Sequence, residues 1–264
     1  MSRGIDISRW KNYDDILTDS LWTFPKRDAS GPYQGSTSFH GGFIAQIPEQ
    51  LIKRYTKPGD IVVDLFAGWG TSLIAALTLK RHAYGVELNR ETWQETLNRL
   101  HALPKDPYLY YSLFRGDAAS PEVVKDFDAL MFGVKADLTI LHPPYLDIVK
   151  FSDDPHDLSN MDTSSFFAVF EKVADNAFAI TKPGGIVALV VGDVYQKGAV
   201  VPLGFRCSEI FSHRHAVLKG IIVKDINGNE RGKGKNKNLW RYRHLKNGTF
   251  DFSHEYIFVM QTPK

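Results

Sequence analysis

The chain has 264 residues, 43% hydrophobic and 23% charged, with 32 Lys and Arg against 30 Asp and Glu. That composition suits a globular core; no apolar run is long enough to cross a bilayer, and the single cysteine, Cys207, excludes an intrachain disulfide or a thiolate-rich metal cluster. No signal-peptide pattern opens the sequence, so the expectation is a cytoplasmic protein without membrane partners, and a formal net charge of +2 makes the placement of basic residues more telling than their sum.

Residues 1–38 mix aromatics, charges and turn formers, among them Trp10, Tyr13, Trp22, Phe24, Pro25 and Tyr33. Residues 10–21 read as a short amphipathic helix and 25–38 as loop. Together they form an arm that either lids a site or wraps the core through its tryptophans. His40-Gly41-Gly42-Phe43 permits a close backbone approach or simply a flexible turn. Pro48 and Glu49 open a helix that ends before Pro58-Gly59-Asp60.

The pivotal stretch comes next. Ile61-Val62-Val63 runs into Asp64, then through Leu65-Phe66-Ala67-Gly68-Trp69-Gly70-Thr71-Ser72 into an apolar run at 73–79. This is the pattern of a buried strand, a sharp turn and a helix. Such a turn brings backbone amides and a helix N-terminus to the carboxyl end of a strand, where open α/β sheets place ligands. A second strand at 83–89 ends at Glu87, about 20 residues past the turn, where an acid can accept hydrogen bonds from a ribose diol. A helix at 90–100 offers Trp93, Leu97 and Leu100 to the core. A strand at 110–114 leads to Asp117. Three strand-end acids, Asp64, Glu87 and Asp117, point to a nucleotide-like ligand.

A fourth strand, 137–141, runs into His142-Pro143-Pro144-Tyr145. Two prolines at a strand end fix the backbone and present a polar ring beside an aromatic one, suited to clamping a planar base and hydrogen-bonding its edge. The acidic stretch 147–162 either covers a substrate or is a solvated excursion. Its spacing with His156 matches no metal-binding loop, so no metal is expected. A helix at 166–180 is expected to stop at Lys182-Pro183-Gly184-Gly185, ahead of a buried strand at 186–191. A helix from Pro202 through Cys207 and Phe211, a strand at 216–223 and a last strand at 255–260 complete the pattern. Between these last strands, residues 224–246 form a basic insertion. Its Arg231, Lys233, Lys235, Lys237, Arg241 and Arg243 alternate with Gly, Asn, Trp240 and Tyr242, as suits a phosphate backbone with occasional base stacking.

On these motifs, over roughly residues 39–260, the chain resembles the S-adenosylmethionine-dependent DNA amino-methyltransferases that make N6-methyladenine or N4-methylcytosine. The resemblance implies an α/β, Rossmann-like class I fold: a mostly parallel seven-stranded sheet, helices on both faces and an antiparallel C-terminal hairpin. Residues 39–264 would be that domain and 1–38 an N-terminal arm or lid. It implies S-adenosyl-L-methionine as cofactor, held by His40, Gly41, Phe43, Asp64, Phe66, Ala67, Gly68, Gly70, Thr71, Glu87, Leu88 and Asp117. Phe66 would pack on the adenine, Glu87 would bind the ribose and Asp117 would lie near the adenine amino group.

His142, Pro143, Pro144 and Tyr145 would be catalytic, with Tyr145 stacked on a base flipped out of double-stranded DNA. In the family an Asp, Asn or Ser precedes the Pro-Pro pair. Here it is His142, which can accept a hydrogen bond only when neutral. The family's large target-recognition domain has no evident counterpart, so recognition would be short, or shared with a second protomer of a homodimer. Two other functions remain open: an RNA amino-methyltransferase, for instance on guanine N2, and a non-catalytic nucleic-acid-binding protein retaining the fold.

Overall fold

The structure, a computed structural model, describes residues 4–24, 31–33, 42, 44–226 and 237–264. Apolar, β-branched runs become strands β2 (Ile61–Asp64), β3 (His82–Glu87), β4 (Tyr111–Arg115), β5 (Ala136–Leu141) and β6 (Thr181–Val191), preceded by a two-residue β1 (Leu21–Trp22). A small hairpin, β7 (Val194–Gln196) and β8 (Ala199–Val201), precedes β9 (Val217–Asp225) and β10 (His254–Gln261). The helices between them are α1 (Gln46–Tyr55), α2 (Thr71–Thr78), α3 (Arg90–His101), α4 (Glu122–Leu130), α5 (Thr163–Ile180), α6 (Leu203–Ser212) and α7 (Lys237–Asn247).

The main sheet has the order β1-β9-β10-β6-β5-β2-β3-β4. Strands β4, β3, β2, β5 and β6 pair in parallel, and β10 lies antiparallel between β6 and β9. This is the expected class I arrangement with one strand more: Leu21 and Trp22 of the arm pair in parallel with Val223 and Lys224. The chain leaves β2 toward β3 and β4 and returns on the other side as β5 and β6. The crevice between the carboxyl ends of β2 and β5 is therefore the switch point where such sheets bind ligands.

Side-chain alternation splits the core into two layers. Val63, Leu141, Val187, Leu189 and Phe258 pack with Phe127, Phe166, Phe170, Cys207 and Phe211 of α4, α5 and α6. Val62, Leu138, Ile140, Val190 and Ile257 pack with Ile47, Leu51, Leu73, Ile74 and Leu100 of α1, α2 and α3. Two expectations change. The arm forms a 3-10 helix at Ile7–Asn12 instead of an α-helix over 10–21. Asp6 caps it, Trp10 is exposed, and the polar run through Asp14, Asp15, Asp19 and Ser20 favours turns. At the other end of the sequence, Lys182-Pro183-Gly184-Gly185 does not separate helix from strand. The chain passes straight from α5 into β6, and a bulge absorbs the glycines, with Ala136 opposite Thr181 and Leu138 opposite Ile186.

The arm is tied to α1. Leu17 N–H donates to Gln50 Oε1 (2.7 Å), Gln50 Nε2 donates to the Asp15 carbonyl (2.8 Å), and Arg54 Nη1 donates to the Leu17 carbonyl (2.8 Å). Among the described residues, no helix is long and apolar enough to cross a membrane.

Phe170, fully buried, stacks on Phe166 at 5.9 Å and meets Phe211 edge-on at 6.0 Å. Phe170→Ala is expected to cost about 3–5 kcal/mol of stability, read as a lowered urea midpoint with an unchanged slope.

Candidate active site

At the end of β2, Asp64 is 1% exposed. Its Oδ1 accepts the Phe66 N–H at 2.8 Å and its Oδ2 accepts the Ser72 hydroxyl. One carboxylate thus joins strand, turn and the start of α2. Burial pushes its pKa up to about 6, against the lowering effect of Ser72 and Phe66. The turn closes with Gly70 N–H on the Ala67 carbonyl (2.7 Å) and Gly70 at φ 71°, a left-handed conformation suited to glycine. A Cβ there would also meet Thr96 Cγ2 at 2.6 Å. From α3, Thr96 donates to the Gly68 carbonyl (2.6 Å), and Arg99 bonds the Trp69 carbonyl and lies over the Trp69 ring at 5.3 Å. The turn is braced on its outer side.

Glu87 ends β3, next to β2. Its Oε2 accepts Gly68 N–H and its Oε1 accepts Asn89 N–H, both at 2.8 Å. Burial raises its pKa to about 7; the two amides lower it, and the neighbouring Asp64 and Asp157 carboxylates raise it further. Asp117 stands just past β4 and accepts the Ala119 N–H at 2.8 Å. The acidic stretch is no free excursion: Asn89 Nδ2 donates to the Phe151 carbonyl (3.2 Å), and buried Asp157 accepts from Ser152 and Ser159. Among the described residues, no three metal-ligating side chains gather into a cluster.

His142 stands one residue beyond β5, whose Ile140 pairs with Asp64. The second half of the site therefore lies beside the first. His142 Nε2 is 3.0 Å from the Tyr145 hydroxyl, which donates to Glu255 Oε2 at 3.1 Å. The other oxygen of Glu255 meets Lys224 Nζ at 3.2 Å. The Tyr145 ring lies against the backbone of Gly192, where a Cβ would approach Cε2 to 3.1 Å. Burial lowers the His142 pKa to about 4; Glu255 opposes that and Lys224 adds to it. The imidazole is neutral at ordinary pH and can accept a hydrogen bond. Burial and Glu255 hold the Tyr145 phenol well above its usual range, so it keeps its proton. Past β6, Asp193 Oδ1 is buried with no hydrogen-bond partner among the described residues.

Asp64, Phe66, Ala67, Gly68, Gly70, Thr71, Glu87, Leu88, Asp117 and the 142–145 motif thus gather at one edge of the sheet. His40, Gly41, Phe43, Arg231, Lys233 and Lys235 lie outside the described residues, as does the side chain of Lys237. The part of the basic insertion that is described is not a loop. Lys224 is a buried strand residue, and residues 237–247 form α7. Exposed Arg241 and Arg243 ride on that helix. Tyr195 of β7 docks the region by stacking on Phe252 at 4.8 Å and accepting the Phe250 N–H, with His244 of α7 at 6.4 Å. Sequence reasoning missed Ser72, Thr96, Arg99, Asn89, Asp193, Lys224 and Glu255. The available signal was a lone Lys224 after Ile221-Ile222-Val223 and a lone Glu255 heading an apolar strand.

A family model described as DNA methylase matches residues 6–98, which include the Asp64 turn and Glu87 but not His142. Type II methyltransferase M.HindIII of Haemophilus influenzae is 44% identical over 64 residues, 23% of this chain and 21% of that protein. Type II methyltransferase M.BglII of Bacillus subtilis is 44% identical over 50 residues, 17% of this chain and 14% of that protein. The matches thus span about a fifth or less of these relatives' lengths. Among solved structures, TrmN from Thermus thermophilus superposes with a TM-score of 0.54 at 17% identity, covering 86% of this chain and 51% of that one. NSun6 from Pyrococcus horikoshii gives 0.51 at 12% identity, covering 83% and 52%. These structural likenesses concern the fold.

The chain has the class I, Rossmann-like fold of S-adenosylmethionine-dependent methyltransferases. In sequence it is related to type II methyltransferases.

The residues present fit that cofactor. Two carboxylates at one turn, Asp64 buried and Glu87 partly so, each with its pKa raised, would be relieved by a cationic ligand, and Glu87 could also accept from a diol. A ligand that favours ionised Glu87 displaces its proton on binding. S-adenosylhomocysteine affinity is therefore expected to weaken as pH falls through about 7, with proton release visible as a buffer-dependent heat in calorimetry. Glu87→Gln is expected to flatten that dependence and weaken binding about tenfold.

Proposed function

We propose that the protein transfers a methyl group from S-adenosylmethionine directly to the exocyclic amine of adenine (N6) or cytosine (N4) in double-stranded DNA. The observation that carries this reading is the placement of His142-Pro143-Pro144-Tyr145 at the end of β5, beside the Asp64 turn on β2. Relatedness to type II methyltransferases favours DNA as the substrate.

In this reading Asp64 and the turn amides hold the methionine part, with His40, Gly41 and Phe43 assisting. Phe66 packs on the adenine, Glu87 and Leu88 border the ribose, and Asp117 meets the adenine amino group. S-adenosylmethionine supplies an electrophilic methyl group on its sulfonium. Tyr145 stacks on the flipped base, and His142 with the Pro143 carbonyl accepts hydrogen bonds from the target amine, turning its lone pair toward that methyl. The amine nitrogen forms the new N–C bond as the S–C bond breaks, leaving S-adenosylhomocysteine. The extra proton then departs to solvent or His142. Catalysis comes from orientation and from acceptors placed where positive charge develops. No covalent enzyme intermediate is involved: Cys207 is fully buried in α6, and burial pushes its thiol pKa far up. Arg241 and Arg243, docked through Tyr195, and the basic residues 231, 233, 235 and 237 take the phosphate backbone.

The test is incubation with methyl-labelled S-adenosylmethionine and separate DNA and RNA pools, followed by nucleoside analysis. Label in N6-methyladenine or N4-methylcytosine from DNA is expected. Label in RNA nucleosides alone would overturn the substrate, and label in 5-methylcytosine the direct transfer. His142→Ala is expected to lower kcat about 10²–10³-fold with S-adenosylhomocysteine affinity unchanged. Arg241→Gln with Arg243→Gln should reduce the slope of log affinity for DNA against log salt by up to about 1.8.

A further inference from the structure

We propose that Glu255, backed by Lys224, is a positioning residue for this transfer: through the Tyr145 hydroxyl it holds His142 in the tautomer protonated at Nε2, leaving the ring's lone pair on Nδ1. The inference rests on the reading of His142 as the acceptor of the target amine.

Lys224 and Glu255 sit directly opposite each other on antiparallel β9 and β10, and they are 2% and 9% exposed. A buried ion pair of this kind contributes little stability compared with apolar residues of the same size, because desolvation offsets the attraction. What it does supply is direction. Lys224 Nζ takes Oε1 of the carboxylate at 3.2 Å, which leaves Oε2 turned to the Tyr145 hydroxyl at 3.1 Å. A carboxylate only accepts, so the single phenol proton is committed to Glu255. The phenol oxygen then faces His142 Nε2 at 3.0 Å with lone pairs alone, and that contact is a hydrogen bond only if Nε2 carries the proton. A neutral imidazole has one N–H; the tautomer follows. With β5 and β6 between it and the strand that carries the glycine turn, an ion pair with no contact to the reacting atoms thus decides which nitrogen of His142 is the acceptor.

Glu255→Gln reverses the order of donors. Lys224 retains the amide oxygen, the amide N–H₂ turns to Tyr145, the phenol proton moves to His142 Nε2, and the imidazole proton shifts to Nδ1. The experiment is long-range ¹H–¹⁵N correlation on protein labelled at histidine, with the His142 signals identified from their loss in His142→Gln. The wild type is expected to show Nε2–H and Glu255→Gln to show Nδ1–H. Glu255→Gln should also lower kcat about 100-fold or more, with KM for DNA and S-adenosylhomocysteine affinity within about twofold.

Nδ1–H in the wild type would overturn the proposal without recourse to any variant. So would an unchanged tautomer and kcat in Glu255→Gln. The tautomer is read without substrate, so a wild type that shows Nε2–H and methylates no nucleic acid would sink the function reading and leave the relay standing.

Discussion

The buried carboxylate of Asp64 is the interaction on which the rest of the site depends. It ends a fully buried strand, accepts the Phe66 amide and the Ser72 hydroxyl, and so fixes both where the turn begins and where α2 starts. Glu87 reaches across from β3 to the Gly68 amide, while Thr96 and Arg99 hold the turn's carbonyls from α3. A turn braced on both sides loses little freedom when a ligand arrives, which is how preorganisation favours binding. Buried Asp64 and partly buried Glu87 are the electrostatic counterpart: placing negative charge where water is scarce raises their pKa values and suits a cationic ligand.

The sheet's topology supplies the second half. Because β2 and β5 are parallel neighbours, with Asp64 opposite Ile140, any side chain just past β5 lies beside the glycine turn. His142 takes that place, where a carboxylate, amide or hydroxyl would be expected from the resemblance. Its low pKa, set mainly by burial, makes the substitution chemically compatible with an acceptor role across the ordinary pH range. The same burial demands partners for its polar neighbours, and Tyr145, Glu255 and Lys224 provide them in a line running out to the antiparallel edge of the sheet.

Much of the fold was legible in the sequence because its signals are local. Ile61-Val62-Val63 and the run from Ile186 to Val191 could be little other than buried strands, and each acid or His at a strand end marked the ligand-binding edge. The arm was misread as a helix over 10–21: its first turn is a 3-10 helix with Trp10 exposed, and Leu21 pairs as a strand beside buried Trp22. The extra strand could not be foreseen, since a two-residue pairing depends on a partner two hundred residues away. The basic segment was overextended at its start. Lys224 looks like its first cation and is instead locked to Glu255, a pairing fixed by cross-strand register, which no short window of sequence reveals. Thr96 and Arg99 escaped notice for the same reason: their role exists only once α3 is laid against the turn.

The claim that the Asp64 turn and His142 form one site can be tested by titrating S-adenosylhomocysteine into histidine-labelled protein while following the ring signals of His142. The predicted result is a shift of those signals in proportion to saturation, displaced to higher ligand concentration by Asp64→Asn. Calorimetric saturation with the His142 signals unmoved would contradict it.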